Sequence, residues 1–326
     1  MKTFFYILFI AFLFFSIFWV SVNHIKNVSV SYMGKTTIIY KKIEGGKSKM
    51  ARHNNATFYG QVAKEPRIIT DENGKMVRGI CPINVIRGIR DFGNHINNLK
   101  YDCPIIMTGD PEKIAEMATW KVNNMVEVKG TITTKEVNKN TVCPHCGHKN
   151  SVQGNLVFIN PIYLSVRETN VSQEEGLALL KKRVEISNSV TVIGTLCRDV
   201  ETYTSEKGLT ITQYQLAVNR KFRLRDDAAE NRTDYPWVKS YGDIGVEDSK
   251  FLHMGSVVLI DGMVQTREVN RKSTCSDCGE EYPWKDNALE IVPYSVEYLQ
   301  NFILPEEYEK MEEEKAKEAI DKVFKA

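Results

Sequence analysis

The chain has 326 residues, a length that suggests two domains of ordinary size, each able to bury its own core. Its formal charge of +2 excludes a globally basic binder, so any nucleic-acid partner must rest on local patches of cations and aromatics. The seven cysteines exclude a secreted disulfide framework: two close Cys-x-x-Cys pairs in an odd count read as reduced thiols at a metal site.

Residues 1–49 differ in character from the rest. An apolar run from Phe4 to Val22 is about long enough to span a bilayer, which needs roughly 20 residues. No clean small-residue cleavage site comes after it, so one reading is a signal anchor. Lys35, Lys41, Lys42, Lys47, Lys49 and Arg52 lie beyond the run and would hold the remainder in the cytoplasm. The other reading is a mis-set start. Seven of the 14 Phe fall in the first 20 residues, as in translated A/T-rich noncoding DNA. Glu44-Gly-Gly46 can be encoded by a ribosome-binding sequence at initiation distance from Met50. On that reading the protein begins at Met50 and is cytoplasmic.

An internal repeat organises the chain from Met50 onward. Ala56-Thr-Phe-Tyr-Gly60 recurs as Val190-Thr-Val-Ile-Gly194, and Gly109-Asp110 as Gly242-Asp243. Met125-Val-Glu-Val-Lys-Gly130 recurs as Val257-Val-Leu-Ile-Asp-Gly262, and Cys143 and Cys146 as Cys275 and Cys278. These matches lie 132 to 134 residues apart in one order, which implies duplication of a single domain. Each copy reads as β-rich: an opening strand (58–63, 190–195), a strand behind a Gly-containing turn (76–85, 209–220), and a short helix (112–120, 246–252). A long strand (125–135, 257–267), a polar tip with the Cys pair, and a returning strand (156–166, 289–298) complete it. The expected fold is all-β, two tandem OB-fold barrels over 54–168 and 188–302. Ser172-x-x-Glu175 is a capping box that starts a connecting helix over 170–187 and reaching about Ile186. A charged C-terminal helix fills 303–326.

The second copy resembles the bacterial single-stranded DNA-binding proteins over about residues 187–302. The resemblance rests on Gln215-Leu-Ala-Val-Asn-Arg220, Tyr235-Pro-Trp-Val-Lys-Ser-Tyr-Gly242 and residues 257–267. It implies that Phe222, Trp237 and Tyr241 are platforms on which bases stack. Stacking is indifferent to sequence because every base has a π-face. Arg220, Lys221, Arg223, Arg225 and Lys239 surround these aromatics and would track phosphates. In the first copy, alignment on Gly-Asp places Pro104 opposite Trp237 and Thr108 opposite Tyr241, with Phe92 a loose match for Phe222. That copy is expected to bind weakly or to serve assembly.

The Cys pairs are knuckles whose turns aim two thiolates at one point. Structural zinc needs four ligands. His145 or His148 would complete a site in the first copy, but the second has no nearby His. The economical arrangement is one zinc shared by Cys143, Cys146, Cys275 and Cys278. Cys81, Cys103 and Cys197 read as ordinary core or surface residues. The implied partners are single-stranded DNA, replication or recombination proteins, and further copies of the chain. The chain ends without the acidic tip through which that family recruits its partners. A primosomal or RNA-binding OB module is the alternative. A membrane-tethered thiol oxidoreductase is the alternative of another class, and it requires the first Cys of a pair at a helix N-terminus. No Ser/His/Asp set, phosphate loop or paired carboxylate motif occurs, so neither catalysis nor a small-molecule substrate is expected.

Overall fold

A computed structural model describes residues 52–87, 101–206, 208–221, 224 and 233–324. Residues 1–49, Phe92, Phe222, Arg223 and Arg225 lie outside them. Met50–Ala326 forms one compact unit.

The first copy contains β1 (His53–Val62), β2 (Arg67–Thr70), β3 (Met76–Ile86), β4 (Tyr101–Asp102), β5 (Ile105–Thr108), α1 (Pro111–Met117), β6 (Met125–Val142) and β7 (Lys149–Glu168). The connection holds α2 (Gln173–Lys182) and α3 (Val184–Ser187). The second copy contains β8 (Asn188–Leu196), β9 (Glu201–Thr204), β10 (Thr210–Asn219), β11 (Thr233–Asp234), β12 (Trp237–Tyr241), α4 (Gly242–Phe251), β13 (Val257–Thr274) and β14 (Glu281–Gln300), with α5 (Pro305–Phe324) after it.

Strand pairing closes each copy on itself. β1 pairs with β3 and β6, β3 with β5, and β7 with both β6 and, in parallel, β5. β8, β10, β12, β14 and β13 repeat that circuit, again with one parallel pair, β12 with β14. Five strands closed in this order make the OB barrel. Alternation explains the strands: along β8 every second residue, from Asn188 through Val190, Val192 and Gly194 to Leu196, is buried. Val192, Leu216, Val238, Val258 and Ile291 fill the second barrel, and Phe58, Ile83, Ile106, Val128 and Ile159 the first.

The barrels join strand to strand. The first half of β1 pairs antiparallel with β8, and Ala56 faces its own counterpart Val190. A pseudo-two-fold axis therefore passes between them, and side-chain contacts repeat across it. Asn54 brackets Ile132, donating to its carbonyl at 2.8 Å and accepting from its N–H at 2.8 Å. Asn188 does the same at Val264, at 2.9 and 2.9 Å. Asp102 accepts from the Thr266 N–H across the interface, and Asp234 accepts from the Thr134 N–H.

Both long hairpins carry a bulge at equivalent places, Lys129/Gly130 and Asp261/Gly262. A Cβ at Gly130 would collide with the Asn160 carbonyl, and one at Gly262 with the Val292 carbonyl. Backbone on the opposite strand cannot step aside as a side chain can. Gly262→Ala is therefore expected to cost about 1–3 kcal/mol of stability. A denaturation midpoint equal to that of the unaltered chain would contradict this.

Three differences from the sequence reading have physical causes. The hairpin strands run past 135 and 267 to Val142 and Thr274, because ladder hydrogen bonds extend them through polar residues. The capping box forms as expected, with Glu175 N–H donating to Ser172 Oγ at 3.2 Å and Ser172 N–H to the Glu175 carboxylate at 2.9 Å. The connection nevertheless breaks at Arg183, whose φ of −120° is not helical, so it is two helices. The Gly-Asp pairs are also not equivalent. Asp110 is the N-cap of α1, whereas Gly242 already lies inside α4, whose N-cap is Tyr241.

Candidate nucleic-acid interface and metal centre

The outer face of β9, β10 and β12 is built by alternation. Val238 and Ser240 point into the barrel and are fully buried, which turns Trp237, Lys239 and Tyr241 outward. Register places Trp237 beside Gln215, Lys239 beside Gln213, and Tyr241 beside Ile211, which in turn faces Tyr203. Trp237 and Tyr241 are half-buried, and Tyr203 and Tyr235 are exposed. The face thus carries aromatic rings on β9 and β12, with Ile211 between Tyr203 and Tyr241, and Gln213 and Gln215 alongside on β10.

Tyr241 is held from the other copy. Arg87 donates to the Gln265 amide oxygen at 3.0 Å, and the Gln265 amide donates to the Tyr241 hydroxyl at 3.1 Å. Trp237 lies under the exposed guanidinium of Arg198, 5.1 Å from the ring centre. Arg198 also donates to the Gln215 side chain at 3.2 Å. Sequence reading passes over Arg198 and Tyr203. The signal available is their position between β8 and β10, Tyr203 on β9 and Arg198 just before it.

Two of the cations expected to track phosphates do something else. Arg220 is 4% exposed and forms an ion pair with Asp234 at 2.8 Å. Lys239 is 6% exposed, with its ammonium 4.0 Å from Glu290 and 5.7 Å from the Tyr203 ring centre. Both are structural cations rather than phosphate contacts, since a buried charge already paired cannot reach a phosphate without breaking its pair. Lys221 is exposed. Burial works against the Glu290 carboxylate, but hydrogen bonds from Arg267 and the charge of Lys239 hold its pKa below the ordinary value.

The first copy offers no such face among its described residues. The parallel pairs Ile106 to Ile159 and Val238 to Ile291 fix the correspondence and make Ile105, not Pro104, the counterpart of Trp237. The one-residue slip arises from the Gly-Asp mismatch before the helices. It leaves an aliphatic side chain where the second copy has an indole.

The two long hairpins bring the four cysteines together. Cys143 Sγ lies 3.7 Å from Cys278 Sγ, and Cys146 Sγ 3.6 Å from Cys275 Sγ. All four sulfurs fall within 4.8 Å of one another, close enough to bind one metal ion. A tetrahedral ion with metal–sulfur bonds of about 2.3 Å sets its sulfurs roughly 3.8 Å apart, so the donor set fits. The knuckles match: Gly147 and Gly279 take φ of 74° and 75°, and each N–H donates to the carbonyl of the first Cys, at 2.9 and 3.1 Å. Positive φ is the conformation that favours glycine. The Cys278 N–H, then the Asp277 N–H and the Asn150 amide, draw the Cys275 thiol down to about 6 against burial, whereas at Cys146 the hydrogen bond from the His148 backbone is outweighed by burial and the neighbouring thiols, which push it up to about 12. His145 and His148 are exposed and outside the cluster. Each Cys pair sits at a hairpin tip between strands, so neither has the helix N-terminus that a thiol oxidoreductase needs.

Comparison with known proteins agrees with the second barrel. The Single-strand binding protein family profile matches residues 187–278. Single-stranded DNA-binding protein 1 of Staphylococcus aureus is 31% identical over 85 residues, 26% of this chain and 53% of that protein. The single-stranded DNA-binding protein of Helicobacter hepaticus is 31% identical over 86 residues, 26% of this chain and 51% of that one. The chain therefore spans about half the length of these relatives. The crystal structure of the wild-type single-stranded DNA binding protein from Thermus aquaticus superposes with a TM-score of 0.50 at 14% identity, over 77% of this chain and 95% of that one. That likeness concerns the fold. The second barrel is thus similar in sequence to the single-strand binding protein family, over residues 187–278.

Proposed function

We propose that the chain binds single-stranded DNA without sequence preference, in replication, recombination or repair. The observation that carries this reading is the outward aromatic face of Trp237, Tyr241 and Tyr203, with Arg198 over one ring. Aromatic rings spaced along a sheet face accept successive bases whatever their identity. Arg198 and Lys221 are exposed cations for the phosphates, with Phe222, Arg223 and Arg225 on the adjoining segment. The first barrel supports the second, tying Tyr241 in place through Arg87 and Gln265. A structural zinc on the four cysteines clips the hairpins. The protein acts in the cytoplasm, and homo-oligomers extend the binding surface.

The test is a titration with poly-dT at increasing salt. Affinity is expected to fall steeply with salt as counterions are released. Trp237→Ala is expected to weaken binding by about 1–3 kcal/mol, one stacked base, and Ile105→Ala to leave it unchanged. Tighter binding to duplex DNA, or to RNA in competition with dT, would overturn the reading. Equal losses from both substitutions would overturn its asymmetry.

A further inference from the structure

A groove of about 790 Å³ runs between the two hairpins and is lined from both copies. Val152 and Gly154 of β7 form one wall, and Arg271 of β13 with Trp284 and Ala288 of β14 form the other. Trp237 lines it as well. From Glu290, which pairs with Trp237, to Trp284 is six residues of strand, roughly 20 Å. The groove is therefore a continuation of the aromatic face, with both indoles in its lining.

Its charges suit a polyanion. The carboxylates in its wall are each paired with a cation, Asp286 with Lys139, Glu290 with Arg267 and Lys239, and the more exposed Glu268 with Lys285. Arg271 is 58% exposed and 3.8 Å from Asp286, so its guanidinium is open to a phosphate. Trp284 is fixed in place. Its indole N–H donates to Ser273 Oγ at 2.8 Å, and it packs against the buried cluster of Cys143, Cys275 and Tyr282. The same indole thus touches both the groove and the cysteines.

We propose that this groove is a second single-strand subsite built across the two copies, with Trp284 as its stacking platform and the metal-bound cysteines holding its walls in register. It rests on the single-stranded DNA reading above and extends the path of that strand from the barrel face onto the hairpins. A metal ion on the four thiols fixes the floor on which Trp284 packs. Without it the tips are joined only by contacts such as the Thr141–Tyr282 hydrogen bond at 2.6 Å and the donation of the Ser276 N–H to Asn150 at 2.9 Å. Loss of the metal then loosens the groove while the barrel face stays intact.

The experiment compares dT oligomers of roughly six and sixteen nucleotides, the span of site sizes for OB folds, on the full chain. Trp284→Ala and the groove-filling Ala288→Leu are each expected to weaken the long oligomer about tenfold, one stacked base, and to leave the short one unchanged. Trp284→Phe retains a ring and is expected to restore most of the loss. Stripping the metal with a chelator should give the same selective loss and shift the tryptophan emission, a shift absent from the chelated Trp284→Phe variant. The proposal is overturned if Ala288→Leu leaves long-oligomer affinity intact, or weakens both lengths equally, while Trp237→Ala weakens both. If Trp237→Ala changes neither length, the single-stranded DNA reading fails and the groove proposal with it.

Discussion

Replacing Asp234 by alanine is expected to lower the unfolding free energy by about 3–5 kcal/mol, the cost of leaving a buried charge without its partner. Asp234 is 1% exposed and sits where the two barrels meet. One carboxylate oxygen accepts from the Thr134 N–H at 2.9 Å, and the other pairs with Arg220 at 2.8 Å and accepts from the Asn54 amide at 3.4 Å. Removal of the carboxylate takes an ion-pair partner from a guanidinium that is 4% exposed and leaves a backbone N–H of the other copy without its acceptor. Asp102, its counterpart, holds Arg87 and the Thr266 N–H in the same way, but the Arg87 side chain is 15% exposed. Asp102→Ala should therefore cost less, because water can reach the released cation. The double variant Arg220→Met with Asp234→Leu removes both charges and is expected to recover part of the loss. Denaturant midpoints of the three variants decide the matter. A loss below about 1 kcal/mol for Asp234→Ala, the size of an exposed pair, would show that the pair is solvated.

Arg220 also shows where sequence reading reaches its limit. Its run of neighbouring cations marks it as a phosphate contact, but its partner lies 14 residues further along the chain. Only the pairing of β10 with β11, Val218 opposite Asp234, brings the two together. Lys239 fails for the same reason, since Glu290 is placed beside it by the parallel pairing of β12 and β14. Charge is visible in a sequence and desolvation is not. Trp237 and Tyr241 are legible because strand alternation fixes their direction locally: Val238 and Ser240 between them must enter the core. The duplication is legible because its spacing is constant along the hairpins, and the shared cysteine cluster comes from that constancy plus a two-fold relation. The joining of β1 to β8 that creates the relation leaves no mark, because an edge strand that pairs with a second barrel has the same composition as one that does not. The Trp284 groove is illegible because one of its walls belongs to each copy.

Zinc analysis of the purified chain is expected to find one ion per chain, and Cys275→Ser or Cys143→Ser alone is expected to abolish it. Each knuckle supplies two thiolates, which leaves an ion half coordinated, while closed structural sites take four ligands. The two remaining ligands come from the other copy, because sulfurs of different hairpins approach one another to 3.7 and 3.6 Å. Neither His145 nor His148 joins the cluster, so the first knuckle has no local substitute when the second is lost. Two zinc ions per chain, or an ion that survives Cys275→Ser, would show separate sites and return the histidines to the ligand set. The stability effect should be large, because ligands held in place by folding convert metal affinity into folding free energy, about 10–16 kcal/mol in small zinc domains. Here the barrels have cores of their own, so chelation is expected to loosen the hairpin tips before it unfolds the chain. Limited proteolysis should then cut first between Val142 and Lys149 or between Thr274 and Glu281, where the knuckles connect the paired strands.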